Sequence, residues 1–310
     1  MRHVNHGHVN NAGFINDQDY DARDSRPLLA VIGDSYIEAL IIPYPLTLHG
    51  RLSQAVDRTR RVYSFGASGA SLIDYLFYAE HAVRAYGARR FVVNVVSNDF
   101  DEMLLRYKHD PGYHYYAEAA DGALAPVLID YHPGAMRFLT HNSMLCRYLW
   151  HNVGTTPFGF RVRAALGSLI PGSGVPPGQP PLAVAGNSAD SERIEMSKRA
   201  VREVLADFPI RTGVAPASIL FLVDSVRVFD PPSLAAARTG YFGIMRSYFI
   251  EEALRRGFEV RDLQDGFARR HARDGADFQY PDDGHWNPTG HEEAANAVLE
   301  SRLWRDFLAD

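Results

Sequence analysis

The residues able to do chemistry in this chain stand in four short blocks. Gly33-Asp34-Ser35 follows directly on the apolar run Leu28-Leu29-Ala30-Val31-Ile32. A hydroxyl is thereby placed at the carboxyl end of a first buried strand, in position for nucleophilic attack. Alone, such a tripeptide reads equally well as a strand-to-helix turn whose serine caps the helix. Three further segments follow in order: Ser64-Phe65-Gly66-Ala67-Ser68-Gly69, then Ser97-Asn98-Asp99 closing the run Phe91-Val92-Val93-Asn94-Val95-Val96, and finally Asp282-Asp283-Gly284-His285-Trp286-Asn287. A serine, an amide, and a histidine preceded by two aspartates are the materials of acyl transfer.

Taken together, these blocks resemble the SGNH (GDSL) hydrolase superfamily. The resemblance implies that Ser35 is the nucleophile, that Gly69 and Asn98 build an oxyanion hole with the Ser35 N–H, and that His285 is the base, oriented by Asp283 or Asp282. It covers the two ends of the chain and not the middle. Ser64 stands where many members carry Asn, and Ser97 where a Gly is usual before Asn98. Trp286 follows His285 in place of the commoner Pro. Asp-x-His-Trp is similar to the branch that includes bacterial exopolysaccharide O-acetylesterases and O-acetyltransferases, whereas Asp-x-x-His is the pattern of ordinary esterases and lipases, and this sequence satisfies both. Asp283 is the expected partner, because Gly284 lets the backbone bend tightly enough for a carboxylate two residues away to reach the imidazole. Asp282 is then left to solvent or to the start of the last helix.

A serine hydroxyl is almost wholly protonated at neutral pH, so a base must take its proton as it attacks a carbonyl. N–H donors then meet the oxyanion. Water resolving the acyl-serine makes an esterase, and a sugar hydroxyl makes an acyltransferase. The expected function is therefore a serine-dependent O-acyl, most simply acetyl, esterase or transferase acting on a carbohydrate such as a bacterial exopolysaccharide. The transferase reading implies a membrane-bound acyl donor as partner. A general carboxylesterase or lipase, and a non-catalytic glycan-binding module that keeps the fold, are the alternatives. No cofactor is called for, and no His-x-x-x-His or comparable spacing offers a metal ligand set.

The formal net charge is −5, and the basic residues are scattered among acidic ones. A polyanion binder needs a basic stripe, so nucleic acid is excluded as a partner. His3, His6 and His8 read as a frayed terminal segment and not a metal site. Cys146 is the only cysteine, which excludes an intrachain disulfide; beside Met144, Leu145 and Leu149 it reads as a buried helical thiol. No apolar stretch approaches the ~18 residues of a membrane span, and no signal-peptide pattern opens the chain. The abrupt polar start fits the extracytoplasmic, periplasmic part of an anchored bacterial envelope protein; a cytoplasmic location is the alternative.

Strand-type runs at Leu28–Ile32, Arg61–Phe65, Phe91–Val96, Ile219–Val223 and Phe258–Leu263 alternate with helical spacings. Helices are expected around Leu48, Leu52 and Val56, from Leu72 to Tyr86, and around Met245, Phe249 and Leu254. This alternation predicts an α/β fold: a three-layer α/β/α sandwich with a central parallel sheet, flavodoxin-like as the resemblance implies. Residues 1–26 form an N-terminal extension, and 27–310 form one domain with an insertion at about 100–217 after the third strand. Within the insertion, Tyr113-His114-Tyr115-Tyr116, Asp121-Gly122 and Val127-Leu128-Ile129 predict a hairpin. Helices follow over Met136–Trp150 and Ser191–Phe208, with a Pro- and Gly-rich loop over Pro171–Asn187 between them. The insertion's aromatics (Tyr107, Tyr113, Tyr115, Tyr116, Tyr131, Tyr148 and Trp150) suit either a core of its own or sugar stacking, with packing the expected use. Asn287 as N-cap and Pro288 at the first position open the last long helix, which puts His285 on the loop before it.

Overall fold

Five apolar runs bounded by polar turns become the strands of one parallel sheet: β1 (Leu28–Gly33), β2 (Arg61–Gly66), β3 (Arg90–Val95) and, after a hairpin of β4 (His114–Glu118) and β5 (Leu124–Leu128), β6 (Ile219–Val223) and β7 (Glu259–Asp262). This computed structural model describes residues 7–134, 138, 142–144 and 191–310. The chain divides into two compact units, Met1–Ile129 with Ser188–Asp310, and Asp130–Asn187. Apart from Phe138 and Asn142–Met144, the helix expected over Met136–Trp150 lies outside the described residues, as do the Pro171–Asn187 loop, His3, His6, Cys146, Tyr148 and Trp150.

The strand order is β2-β1-β3-β6-β7, with every neighbouring pair parallel. A strand buried on both faces needs apolar residues at every position, because successive side chains point to opposite sides. Leu29, Val31, Val62, Val92, Leu220 and Leu222 pack on one face against α2 (Leu48–Ala55), α8 (Leu263–Asp274), α9 (Pro288–Leu299) and α10 (Arg302–Ala309). Ala30, Ile32, Phe65, Phe91, Val93 and Phe221 pack on the other, against α3 (Leu72–Tyr86), α5 (Ser191–Thr212) and α7 (Tyr241–Arg255). The result is an α/β/α sandwich. The single-turn helices α1 (Ser35–Glu38) and α4 (Asp99–Glu102) follow β1 and β3 directly, and α6 (Pro231–Thr239) precedes α7. Because β1 lies between β2 and β3, the chain leaves it in opposite directions, which opens a crevice at the carboxyl ends of these strands.

The structure departs from the sequence reading at several boundaries. Helix α5 continues through Pro209 to Thr212; Phe208 is fully buried, and Arg211 donates to Glu80 at 2.8 Å, contacts that offset the backbone bond proline lacks. Strand β7 stops at Asp262, which caps α8 by accepting from the Gln264 N–H. His285 lies on a short strand, β9 (Asp283–Trp286), paired antiparallel with β8 (Gln279–Tyr280), and not on a loop. Asn287 caps α9, its side chain accepting from the Thr289 and Gly290 N–H groups.

The segment before β1 packs along the free side of β2. Tyr20 is buried, stacks on Tyr63 at 4.0 Å, and donates its hydroxyl to the Ser64 carbonyl while accepting from the Ser64 N–H. Asn16 donates to Ser64 Oγ at 2.9 Å, and Gln18 donates to the Val62 carbonyl at 3.2 Å. His8 is exposed, 3.8 Å from Asp19. Of the insertion's aromatics, Tyr115 and Tyr116 are fully buried and so belong to the packing.

Candidate active site

Two glycines let α1 settle onto the sheet. A Cβ on Gly33 would meet Ile37 Cγ1 at 2.4 Å, and one on Gly66 would meet the Glu38 backbone nitrogen at 2.5 Å. The turn carrying Ser35 is therefore pressed against the ends of β1 and β2. Asp34 caps that turn, accepting from the Tyr36 N–H at 3.0 Å. Burial pushes the Asp34 carboxyl up to about 6, against the opposing pull of the Tyr36 N–H and His285. Behind it, Asp99 accepts from Tyr75 Oη at 2.8 Å and from the Val96 N–H at 2.7 Å, and its carboxyl is raised by burial and then by Asp34.

The Ser35 hydroxyl donates to His285 Nε2 at 2.7 Å, across 250 residues of sequence. His285 Nδ1 lies 2.5 Å from Asp283 Oδ1, which also accepts the His285 backbone N–H at 3.0 Å. With Nδ1 protonated toward the carboxylate, Nε2 is bare and able to take a proton. Strand geometry explains the reach of Asp283: residues two apart on β9 share a face, so its carboxylate and the imidazole lie side by side. Gly284 is not the hinge expected from its type, since it has neither a positive φ nor a close neighbour. Asp282 is exposed.

The remaining blocks follow β2 and β3, the two strands that flank β1. Gly69 has φ +85°, a left-handed conformation that disfavours any side chain, and a Cβ there would face Tyr113 and Lys108. Among the described residues, neither the Ser35 nor the Gly69 backbone N–H has an acceptor. Asn98 precedes α4 and donates its amide to Glu102 Oε2 at 3.1 Å, leaving a second amide hydrogen. The arrangement is a hydroxyl, a base, an orienting carboxylate and N–H donors from three loops, which can carry out acyl transfer through a serine.

The sequence reading missed the group that backs the histidine. Asp224, at the end of β6, is buried; it accepts from Trp286 Nε1 at 2.9 Å and from Arg227 Nη2 at 2.9 Å. Burial raises the Asp224 carboxyl, and Arg227 and Trp286 oppose the rise. Arg227, held at φ +52°, also donates to Tyr36 Oη at 2.8 Å and to the Gly284 carbonyl. The Tyr36 hydroxyl donates to that same carbonyl at 2.8 Å, and its ring lies 4.9 Å from the His285 ring. Thus Arg227, on the segment after β6, grips the Gly284–His285 peptide and ties it to Tyr36, the residue after Ser35. No local pattern announces these partners, which lie 191 residues apart.

No family model matches the chain, and no curated protein matches it. Solved structures do. An α/β hydrolase from the metagenome of Lake Arreo, Spain, is 14% identical over 88% of this chain and 93% of its own, with a TM-score of 0.46. A member of the lipolytic G-D-S-L family from Veillonella parvula is 8% identical over 89% and 97%, with a TM-score of 0.41. An acetyl-xylooligosaccharide esterase variant from Geobacillus Stearmophilus is 12% identical over 88% and 92%, with a TM-score of 0.45.

A cavity of about 160 Å³ opens beside Ser35, lined by Ala39, Leu40, Ile41 and Ile42 with His285, Trp286 and His291. His291 accepts from the Leu48 N–H through Nδ1, and burial holds its imidazole down to about 3, neutral at physiological pH. A larger cleft of about 760 Å³ lies at the other, amino ends of the strands, among Leu28, Arg61, Arg90 and Ser218. It contains no hydroxyl paired with a histidine. Among the described residues, no His, Cys, Asp and Glu cluster is placed to hold a metal, and no helix is long and apolar enough to cross a membrane.

Proposed function

We propose that the protein is a serine ester hydrolase or acyltransferase that takes a short acyl group, acetyl in the simplest case, from or to a carbohydrate such as a bacterial exopolysaccharide. The observation that carries the reading is the 2.7 Å hydrogen bond from Ser35 to His285, with Asp283 on the far side of the ring. As Ser35 Oγ attacks the ester carbonyl, its proton passes to His285 Nε2, and the imidazolium so formed is stabilised by Asp283. The oxyanion is met by the Ser35 and Gly69 N–H groups and the Asn98 amide. His285 then returns the proton to the departing alcohol, which leaves Ser35 acylated. Water or an acceptor hydroxyl attacks that ester as His285 takes its proton, and Ser35 is regenerated.

The choice of substrate rests on the walls. The apolar cavity beside Ser35 is small and accommodates a short acyl chain. Around Gly69 the side chains are polar: Glu38 accepts from Ser68, and Lys108 and Tyr113 stand over the glycine. That wall suits a hydroxylated alcohol. The test is hydrolysis of p-nitrophenyl esters from acetate to octanoate, with acetylated oligosaccharides alongside and Ser35→Ala as control. The expected result is serine-dependent release of acetate from the chromogenic ester and from sugar. Preference for long-chain esters with no action on any glycan leaves a general carboxylesterase. Activity of Ser35→Ala above a tenth of wild type refutes the serine mechanism.

A further inference from the structure

Gly69 and Asn98 come from different loops, one after β2 and one after β3, and an oxyanion hole works only if its donors keep a fixed spacing. A single side chain joins them. Lys108 Nζ donates to the Gly69 carbonyl at 2.8 Å and to Glu102 Oε2 at 2.6 Å, and that same carboxylate oxygen accepts the Asn98 amide at 3.1 Å. The Lys108 side chain is only 13% exposed, and Nζ also lies 3.9 Å from Asp110. Five residues on, Tyr113 donates its hydroxyl to the Ser68 carbonyl at 2.6 Å. In a trans peptide the carbonyl and the following N–H point in opposite directions. Holding the Ser68 oxygen therefore sets the direction of the Gly69 N–H.

We propose that Lys108, with Glu102 and Tyr113, is the positioning clamp of the oxyanion hole. The clamp rests on the catalytic reading given above. Glu102 fixes the amide of Asn98 with its nitrogen end toward the carboxylate, so that the second N–H stays available to substrate. Without a cation beside it, the Glu102 carboxylate would oppose the developing oxyanion one hydrogen bond away. Lys108 neutralises that carboxylate and pins the neighbouring loop through Gly69. The start of the insertion thus completes the oxyanion hole, whatever the rest of the insertion does.

The test is a double-mutant cycle on the full chain, read by steady-state hydrolysis of p-nitrophenyl acetate, with circular dichroism confirming the fold. Lys108→Met should lower kcat by about 10- to 100-fold with KM within about twofold, since misplacement by 1 Å can cost ~100-fold. In an Asn98→Ala background the same change should cost at most about fivefold, because part of what Lys108 positions is already gone. Lys108→Arg should recover part of the loss. The clamp is overturned if Lys108→Met keeps more than half of kcat, if its cost is equal in both backgrounds, or if the loss lies wholly in KM. Should Lys108→Met fail to fold, Tyr113→Phe, which removes one hydroxyl, decides: a several-fold fall in kcat alone supports the clamp, and an unchanged kcat overturns it. Absence of serine-dependent hydrolysis in the wild type overturns the catalytic reading and the clamp with it. Serine-dependent activity that ignores Lys108 overturns the clamp alone.

Discussion

Replacing Asp224 by Ala should both unsettle the fold and misplace the histidine. The carboxylate is 2% exposed and serves three donors: Trp286 Nε1 and Arg227 Nη2 at 2.9 Å and the Ser225 N–H at 2.8 Å. Breaking a buried ion pair on one side costs about 3–5 kcal/mol, because the surviving charge is left uncompensated. Arg227 keeps Tyr36 and the Gly284 carbonyl and is slightly exposed, so the low end applies: about 3 kcal/mol, roughly a 100-fold fall in the folded-to-unfolded ratio. Urea unfolding followed by tryptophan fluorescence measures it, and kcat on an acetyl ester should fall because Trp286, the residue after His285, loses its buried acceptor. Asp224→Asn, which keeps one acceptor oxygen, should cost less. The pair Asp224→Ala with Arg227→Met, which removes both charges, should recover part of the loss. A cost below about 1 kcal/mol for Asp224→Ala, or a double variant no more stable than the single, refutes the reasoning.

Two further outcomes follow from the same geometry. Asp283→Asn should lower kcat about 1,000-fold or more through the wrong imidazole tautomer, and Asp282→Asn less than about tenfold; the reverse order would assign the role to Asp282. The Asp34 carboxyl is pushed up to about 6 from 3.8, so the folded state holds this proton more tightly than the unfolded chain. Stability contributed by the neutral form is full below about pH 4, falls between about 4 and 6, and is gone above that, by an amount of about 3 kcal/mol. In urea unfolding at pH 4 and pH 7, the stability gap between wild type and Asp34→Asn should move by that much against the wild type as pH rises, and a constant gap refutes it.

What the sequence disclosed and what it withheld divide along physical lines. Leu28–Gly33 and Ile219–Val223 were legible because strands buried on both faces are continuous apolar runs, and β3 differs from its expected span by one residue at each end. That Ser35, at the end of the first strand, and His285, ahead of the last long helix, could meet was readable from the local turn and cap patterns around each, and the two are hydrogen-bonded. The strand under His285 was not, since β8 is only two residues long and pairs through a register shift. Arg227 and Lys108 were invisible for a different reason: each works through partners that only the closed sheet brings near. Helix α5 ran past Pro209 because tertiary packing of Phe208 and Arg211 outweighed the local signal to stop.

The stretch ahead of β1 has a consequence for the margin of the sheet. In the parallel ladder, among the described residues, β2 pairs only with β1, so the N–H and C=O groups of alternate residues face outward with no partner strand. An open margin of this kind is a template for a stray chain. Here side chains fill the places a sixth strand would take: the Tyr20 hydroxyl engages both the amide and the carbonyl of Ser64, and Gln18 engages the carbonyl of Val62. Ser64 thereby gains an explanation in this chain: its short hydroxyl accepts from Asn16 and leaves room for the tyrosine ring to lie flat on Tyr63. The leading segment works as a selvedge, finishing the fabric on the side nearest Ser35 and covering the backbone groups of Ser64 and the Val62 carbonyl that a neighbouring chain would otherwise extend.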